Sequence, residues 1–245
     1  GDVDGDTCDD IVILVTTYPP AEIGDDPPYA ARCLLFGRRD VAPETTYEEE
    51  MANGGACAFI AVAWGARECF IPAGIGDQNR DGIEDMGIVY WPREPKDVDK
   101  GRLRVLYGGP RSNLCRPRNL AVDTDFDVSF SLSRGYNDEV RELRGGRDFS
   151  GDAVPDILLS DQHLFDASPP NRAILLFGGD LAARAGVLAA VEDKTELVNY
   201  EQSWGVYEYF GYPTRFQCAG DVNGDGYEDV AVYDRGHVYI YFNPL

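Results

Sequence analysis

Four stretches of this chain gather oxygen-bearing side chains at one repeated spacing: GDVDGDTCDD, GDQNRDGIED, RDFSGDAVPD and GDVNGDGYED. Counted from its first aspartate, each offers Asp at position 1, a short polar residue at 3, and Asp at 5 and 9. The sets are Asp2, Asp4, Asp6 and Asp10; Asp77, Asn79, Asp81 and Asp85; Asp148, Ser150, Asp152 and Asp156; and Asp221, Asn223, Asp225 and Asp229. Position 7, held by Cys8, Ile83, Val154 and Tyr227, would add a backbone carbonyl. Hard oxygen donors in such number suit Ca²⁺, which accepts roughly 6 to 8 of them in flexible geometry, better than Mg²⁺, which insists on an octahedron and keeps its waters. Several carboxylates crowded into one turn repel each other unless a cation neutralises them. The expected chemistry is a staple, with up to four Ca²⁺ ions each closing a turn and none of them needing to touch a ligand.

An EF-hand opens with the same DxDxDG pattern, but it needs a bidentate Glu at position 12 and helices on both sides. Position 12 here is Ile13, Ile88, Leu159 or Val232, each inside a strand-like run. The EF-hand reading fails.

The elements that must position these loops follow from the repeat. The first aspartates Asp2, Asp77, Asp148 and Asp221 are separated by 75, 71 and 73 residues, and each loop is followed by a short apolar run: Ile11 to Leu14, Met86 to Val89, Ile157 to Leu159, Val230 to Val232. Such runs, rich in β-branched residues, read as buried strands. A second strand, about 20 residues on, ends in aromatic-Gly at Gly37, Gly108 and Gly178, with VYIYF to Phe242 in that place in the last unit. A third strand and a return strand lead into the next loop, as in ACAFIAVAW and ECFIPAGIGD. Four strands per repeat of this length make a propeller blade. The Ala-rich stretch Asp180 to Glu192 departs from strand chemistry and is expected to be a helical turn or loop insertion.

Composition agrees with this reading. A 44% hydrophobic content with 27 glycines and 15 prolines suits short strands and tight turns. No apolar run approaches the length of a membrane-spanning helix, so no direct membrane insertion is expected. The net charge of −21 argues against nucleic acid as a partner, because that surface demands a basic stripe. Six cysteines (Cys8, Cys33, Cys57, Cys69, Cys115, Cys218) without a CxxC arrangement suggest disulfides and an oxidising compartment. Their pairing is open, with Cys57–Cys69 the preferred pair.

The fourth unit, FGYPTRFQCAGDVNGDGYEDVAVYD, resembles an FG-GAP repeat of integrin α chains and integrin-like proteins, and the resemblance extends over all four units. It implies an all-β fold: a single β-propeller domain over residues 1–245 with four blades of about four antiparallel strands. The repeats fall at approximately 1–64, 65–135, 136–203 and 204–245. It also implies that the Asp and Asn side chains of each loop hold Ca²⁺ between the two inner strands of a blade. Two departures stand out. Position 6 is Gly at Gly82 and Gly226 but Thr7 and Ala153 elsewhere, so the first and third loops are expected to be distorted or weaker. The GAP element is replaced by TTY, YWP, SDQ and YDR. Counted this way, the chain carries about fourteen strands rather than sixteen, so the ring either pairs at a seam or belongs to a larger propeller.

The expected function is a secreted, extracellular or cell-surface recognition module for a protein or glycan ligand, carried by varied loops such as YPPAEIGDDPPYAA and WPREPKDVDKGR. Trp64, Trp91 and Trp204 could stack on sugars, although a packing role is the commoner one. One alternative is a structural subunit that assembles through open propeller edges. A propeller lyase or hydrolase is less favoured, since His163 and His237 sit in no catalytic motif. The chain is not expected to be an enzyme.

Overall fold

Each aspartate loop opens onto a strand that starts at or just after its ninth position, where polar loop chemistry gives way to β-branched residues. The structure, a computed structural model, describes residues 1–17, 29–38, 46–61, 69–91, 101–116, 118–120, 122–131, 138–163, 172–179, 181–184, 186–187, 194–198, 215–234 and 237–242. The first repeat contains β1 (Ile11–Thr17), β2 (Tyr29–Leu35), the short helix α1 (Tyr47–Ala52) and β3 (Ala56–Ala61). The second contains β4 (Cys69–Gly76), β5 (Asp85–Trp91), β6 (Arg102–Leu106), α2 (Arg111–Leu114), β7 (Arg118–Asn119) and β8 (Val128–Ser131). The third contains β9 (Asp138–Arg147), β10 (Asp156–His163), β11 (Arg172–Leu176), α3 (Leu181–Arg184), β12 (Gly186–Val187) and β13 (Lys194–Val198). The fourth contains β14 (Arg215–Gly220), β15 (Asp229–Asp234) and β16 (His237–Tyr241).

These strands form four sheets, one per repeat, in the orders β1-β2-β3-β7, β4-β5-β6-β8-β12, β9-β10-β11-β13 and β14-β15-β16. Within each sheet the long strands are antiparallel neighbours in chain order. The second, third and fourth loops are the tips of the β4–β5, β9–β10 and β14–β15 hairpins, and the first precedes β1. A register shift enters the hairpin just before the loop, between Gly74 and Gly76 and between Cys218 and Gly220. Gly76 and Gly220 take the left-handed conformation there, at φ 73° and 78°, so the chain kinks out of the ladder as it enters the loop.

The sheets pack face to face in chain order, which explains why their strands are apolar on both sides. Alternate residues of β5 go opposite ways. Met86, Ile88 and Tyr90 join Leu34 and Phe36 of the first repeat, while Val89 joins Leu143, Ile157 and Leu159 of the third. On β10, Ile157 and Leu159 face the second sheet, and Leu158 meets Val230 and Val232 of the fourth. A strand buried on both faces reads as a continuous apolar run. Between sheets the innermost strands approach closely. A Cβ at Gly145 would lie 2.5 Å from the Ile75 backbone, and one at Gly87 would lie 3.2 Å from the Leu143 side chain. Glycine at these two places lets β4, β5 and β9 pack together.

Successive repeats also interlock at their outer edges. After α2, β7 adds in parallel to β3 of the preceding sheet, and after α3, β12 adds in parallel to β8. The stretch from Asp180 is therefore a helical turn followed by a short strand, as far as its described residues show. Arg118 on β7 is buried and donates to the carbonyls of Asn113, Leu114, Arg116 and Asp125, holding this excursion in shape. Arg104, 0% exposed, does the same from β6 by donating to Leu120 O, Asp123 and Ser129.

Among the described residues one disulfide forms, Cys57–Cys115, which ties β3 to the end of α2 across the first two repeats. This corrects the expected Cys57–Cys69 pairing. β3 is an outer strand of the first sheet and β4 is the inner edge of the second, so the α2 excursion is what reaches Cys57. α1 was not expected from the sequence, although Thr46 and Glu49 form a capping box at its start. No helix among the described residues is long and apolar enough to cross a membrane.

Candidate metal centres

The position-1 aspartate organises each loop by accepting backbone N–H groups from the residues that follow it. Asp2 accepts from Gly5, Asp6 and Thr7; Asp77 from Asp81 and Gly82; Asp148 from Gly151, Asp152 and Ala153; and Asp221 from Gly224, Asp225 and Gly226. Position 3 continues the pattern, with Asp4, Asn79 and Asn223 each accepting from the N–H of position 5. Ser150 instead donates its hydroxyl to Asp148 at 3.2 Å. At position 5, Asp6, Asp81, Asp152 and Asp225 accept from Cys8, Ile83, Val154 and Tyr227 at 2.8 to 2.9 Å. Four loops of different sequence thus share one fold.

That fold needs a left-handed residue at position 6, and all four loops have one: Thr7 at φ 70°, Gly82 at 87°, Ala153 at 65° and Gly226 at 93°. The expected distortion of the first and third loops is not seen in the backbone. Their non-glycine residues keep the path and carry strain instead. Position 4 makes the same demand, met by Gly5, Gly151 and Gly224 but by Arg80 at φ 63° in the second loop. In the sequence that position is marked by a glycine three residues after the first aspartate in three of the four loops.

Position 9 has a different task. Asp10, Asp85, Asp156 and Asp229 are 8%, 0%, 0% and 0% exposed. Each reaches back to the N–H of position 2, on Val3, Gln78, Phe149 and Val222, at 2.7 to 2.8 Å. In the first three repeats the other oxygen accepts from the glycine of the aromatic-Gly element, Gly37, Gly108 or Gly178, also at 2.7 to 2.8 Å. These glycines are required by close approach, since a Cβ would fall 2.3, 2.4 or 2.1 Å from the carbonyl oxygen of position 8. The aromatic-Gly element therefore ends a strand and also hands its N–H to the loop carboxylate.

Burial pushes the Asp85 and Asp156 carboxyls up to about 6, against the pull of their backbone hydrogen bonds, and the other loop carboxylates push the same way. Asp10 is raised for the same reasons. A charged hydrogen bond contributes roughly 1.5–3 kcal/mol, while burying an ion costs several kcal/mol. Two or three such bonds are of the same order as that cost, and the carboxyls still stay above their ordinary pKa.

The donor set fits a hard divalent cation. Asp2, Asp4 and Asp10 bring carboxylate oxygens within 4.8 Å of one another, and a carboxylate oxygen that accepts one N–H keeps a lone pair for a metal. Carboxylate, amide and hydroxyl oxygens at positions 1, 3 and 5 are what Ca²⁺ takes. The loops also stand side by side, each touching position 8 of the next. Glu84 N donates to Asp2 O at 3.1 Å, Gln78 Nε2 to Pro155 O at 2.7 Å, and Arg147 Nη1 to Glu228 at 3.2 Å.

Trp64, Trp204 and most of the two long recognition loops lie outside the described residues, as do the side chains of Trp91, His163 and His237.

Two outcomes follow from this geometry. Ala153→Gly relieves a left-handed alanine and raises stability by about 1 kcal/mol, read by urea denaturation; an unchanged or lower midpoint would refute the strain. The second concerns pH. A folded-state pKa above the unfolded value favours the protonated form, so in metal-free protein Asp85 and Asp156 contribute stability below their ordinary pKa of 3.8. That contribution is lost as pH rises through about 6. Carbon-detected NMR titration of these two carboxyls in chelator is expected to give midpoints near 6, and midpoints near 4 would contradict it.

Residues 218–241 match the family model of the FG-GAP repeat. No curated protein matches the chain. The matched span runs from β14 through the fourth aspartate loop and β15 into β16, the same hairpin-and-strand unit that the second and third repeats build around their own loops. This chain carries an FG-GAP repeat.

Proposed function

We propose that the chain is an extracellular, integrin-like β-propeller module, stapled by Ca²⁺ at its aspartate loops, that presents its longer loops to a protein or glycan ligand. The observation that carries this reading is the shared hydrogen-bond pattern of four loops standing next to one another on successive face-packed sheets. The side chains of positions 1, 3, 5 and 9 and the carbonyl of position 7 would hold the ion. When bound, it supplies the positive charge that the clustered carboxylates lack. A matched repeat, an inter-repeat disulfide and the sheet stacking support a rigid, secreted scaffold. On such a scaffold the loops are the usual carriers of binding.

The reading is of a binding module and not an enzyme. The buried carboxylates, which would be the tempting acid–base groups, spend their oxygens on backbone N–H groups of the fold. Calcium titration of chelator-stripped protein, followed by calorimetry and melting temperature, is expected to show binding at the loops with a rise of many degrees. No heat and no shift would sink the reading.

A second reading, assembly through an open face, is favoured by the fourth sheet. Position 2 is 5%, 1% and 0% exposed at Val3, Gln78 and Phe149, where the next repeat covers it, but 56% exposed at Val222. Val238 and Phe242 of the same repeat are also exposed. Sedimentation of the calcium-loaded protein at several concentrations separates the two, because a monomer throughout supports the recognition module and a concentration-dependent mass supports assembly.

A further inference from the structure

The first loop differs from the others in one respect that its sequence conceals. Asp4 and Asp6 each use one carboxylate oxygen, Oδ1, for the loop's own backbone N–H bonds. Their other oxygens, which make no backbone bond, are both taken by Arg111. Its Nε donates to Asp4 Oδ2, and its Nη2 donates to Asp6 Oδ2 at 2.9 Å. The guanidinium lies over the Phe36 ring at 4.3 Å, and the Asp4 side chain beneath it is only 3% exposed.

Arg111 is delivered to this place by the fold. It is the first residue of α2, two residues after Gly109, whose N–H donates to Val3 O inside the loop at 2.8 Å. The other end of α2 is fastened by the Cys57–Cys115 disulfide. The loops that lack such a partner also lack its reason. Position 3 is Asp4 in the first loop but Asn79, Ser150 and Asn223 in the others. In the second and fourth loops the outer oxygen of position 5 instead accepts the position-3 amide, Asn79 to Asp81 at 3.0 Å and Asn223 to Asp225 at 2.8 Å. Among the described residues, no basic side chain reaches the carboxylates at positions 1 and 5 of the second, third or fourth loop.

We infer that Arg111 is the resident cation of the first loop, so that the chain takes calcium at the second, third and fourth loops and admits it to the first only when the guanidinium leaves. This rests on the calcium reading above. A planar fork that matches two carboxylates is held by geometry as well as charge. A calcium ion entering there would meet the guanidinium's positive charge and compete with it for both carboxylates. The first repeat is then stapled without metal, and the array is metal-dependent only from its second repeat onward.

Native mass spectrometry and calorimetric titration count the ions directly. The unmodified chain is expected to bind three Ca²⁺, and Arg111→Gln, refolded in calcium, four. In the unmodified chain Asp6→Asn is expected to leave the count at three, a variant that keeps the test open if Arg111→Gln fails to fold. Four ions in the unmodified chain, three in Arg111→Gln, or a count lowered by Asp6→Asn would each overturn the inference while leaving the calcium reading intact. No calcium bound by either the unmodified chain or Arg111→Gln would sink the calcium reading and the inference with it.

Discussion

The architecture depends on a carboxylate buried at the ninth position of each aspartate loop. Asp85 and Asp156, both inaccessible to solvent, accept N–H groups from the start of their loop and from a glycine at the end of the next strand but one. Three pieces of chain that are distant in sequence meet at one side chain. Its two oxygens reach N–H groups on two separate segments at once, and a carboxylate without such partners would not stay buried. The loop, the first strand and the aromatic-Gly turn are therefore one cooperative unit, and its electrostatic cost falls on the same atoms that would face a metal.

Once each repeat has this corner, stacking follows from strand patterning. β5 and β10 alternate their side chains into two different cores, so neither of the middle sheets can bury its surfaces without a neighbour on each side. That mutual dependence is the general physics of repeat arrays. The chain adds to it with inter-repeat devices that nearest-neighbour packing alone would not require: the parallel strands β7 and β12, the Cys57–Cys115 bridge, and Arg111 reaching from the second repeat into the first repeat's loop.

Much of this was legible in the residues. A spacing of 75, 71 and 73 residues between aspartates located four equivalent corners, and the apolar runs after them located β1, β5, β10 and β15. The apolar residue at position 12 excluded helices around the loops. These features are local or periodic, so each can be read without knowing what packs against it. The need for position 6 to be left-handed was also legible. That Thr7 and Ala153 would accept it was not, because tolerance of strain depends on how firmly the neighbouring hydrogen bonds hold the backbone.

Tertiary structure alone decided the rest. Cys57 had several candidate partners, and only the excursion of α2 out of its own sheet selected Cys115. The position-9 aspartates looked like further metal ligands, and only the fold revealed that they are also the buried acceptors of two backbone segments. Arg111 looked like any surface arginine 105 and 107 residues from Asp6 and Asp4. A sequence determines which side chains are available and how they repeat along the chain. Which distant charges come within hydrogen-bond reach is settled by sheet stacking, because the apolar burial that drives it is indifferent to the polar pairs it brings together.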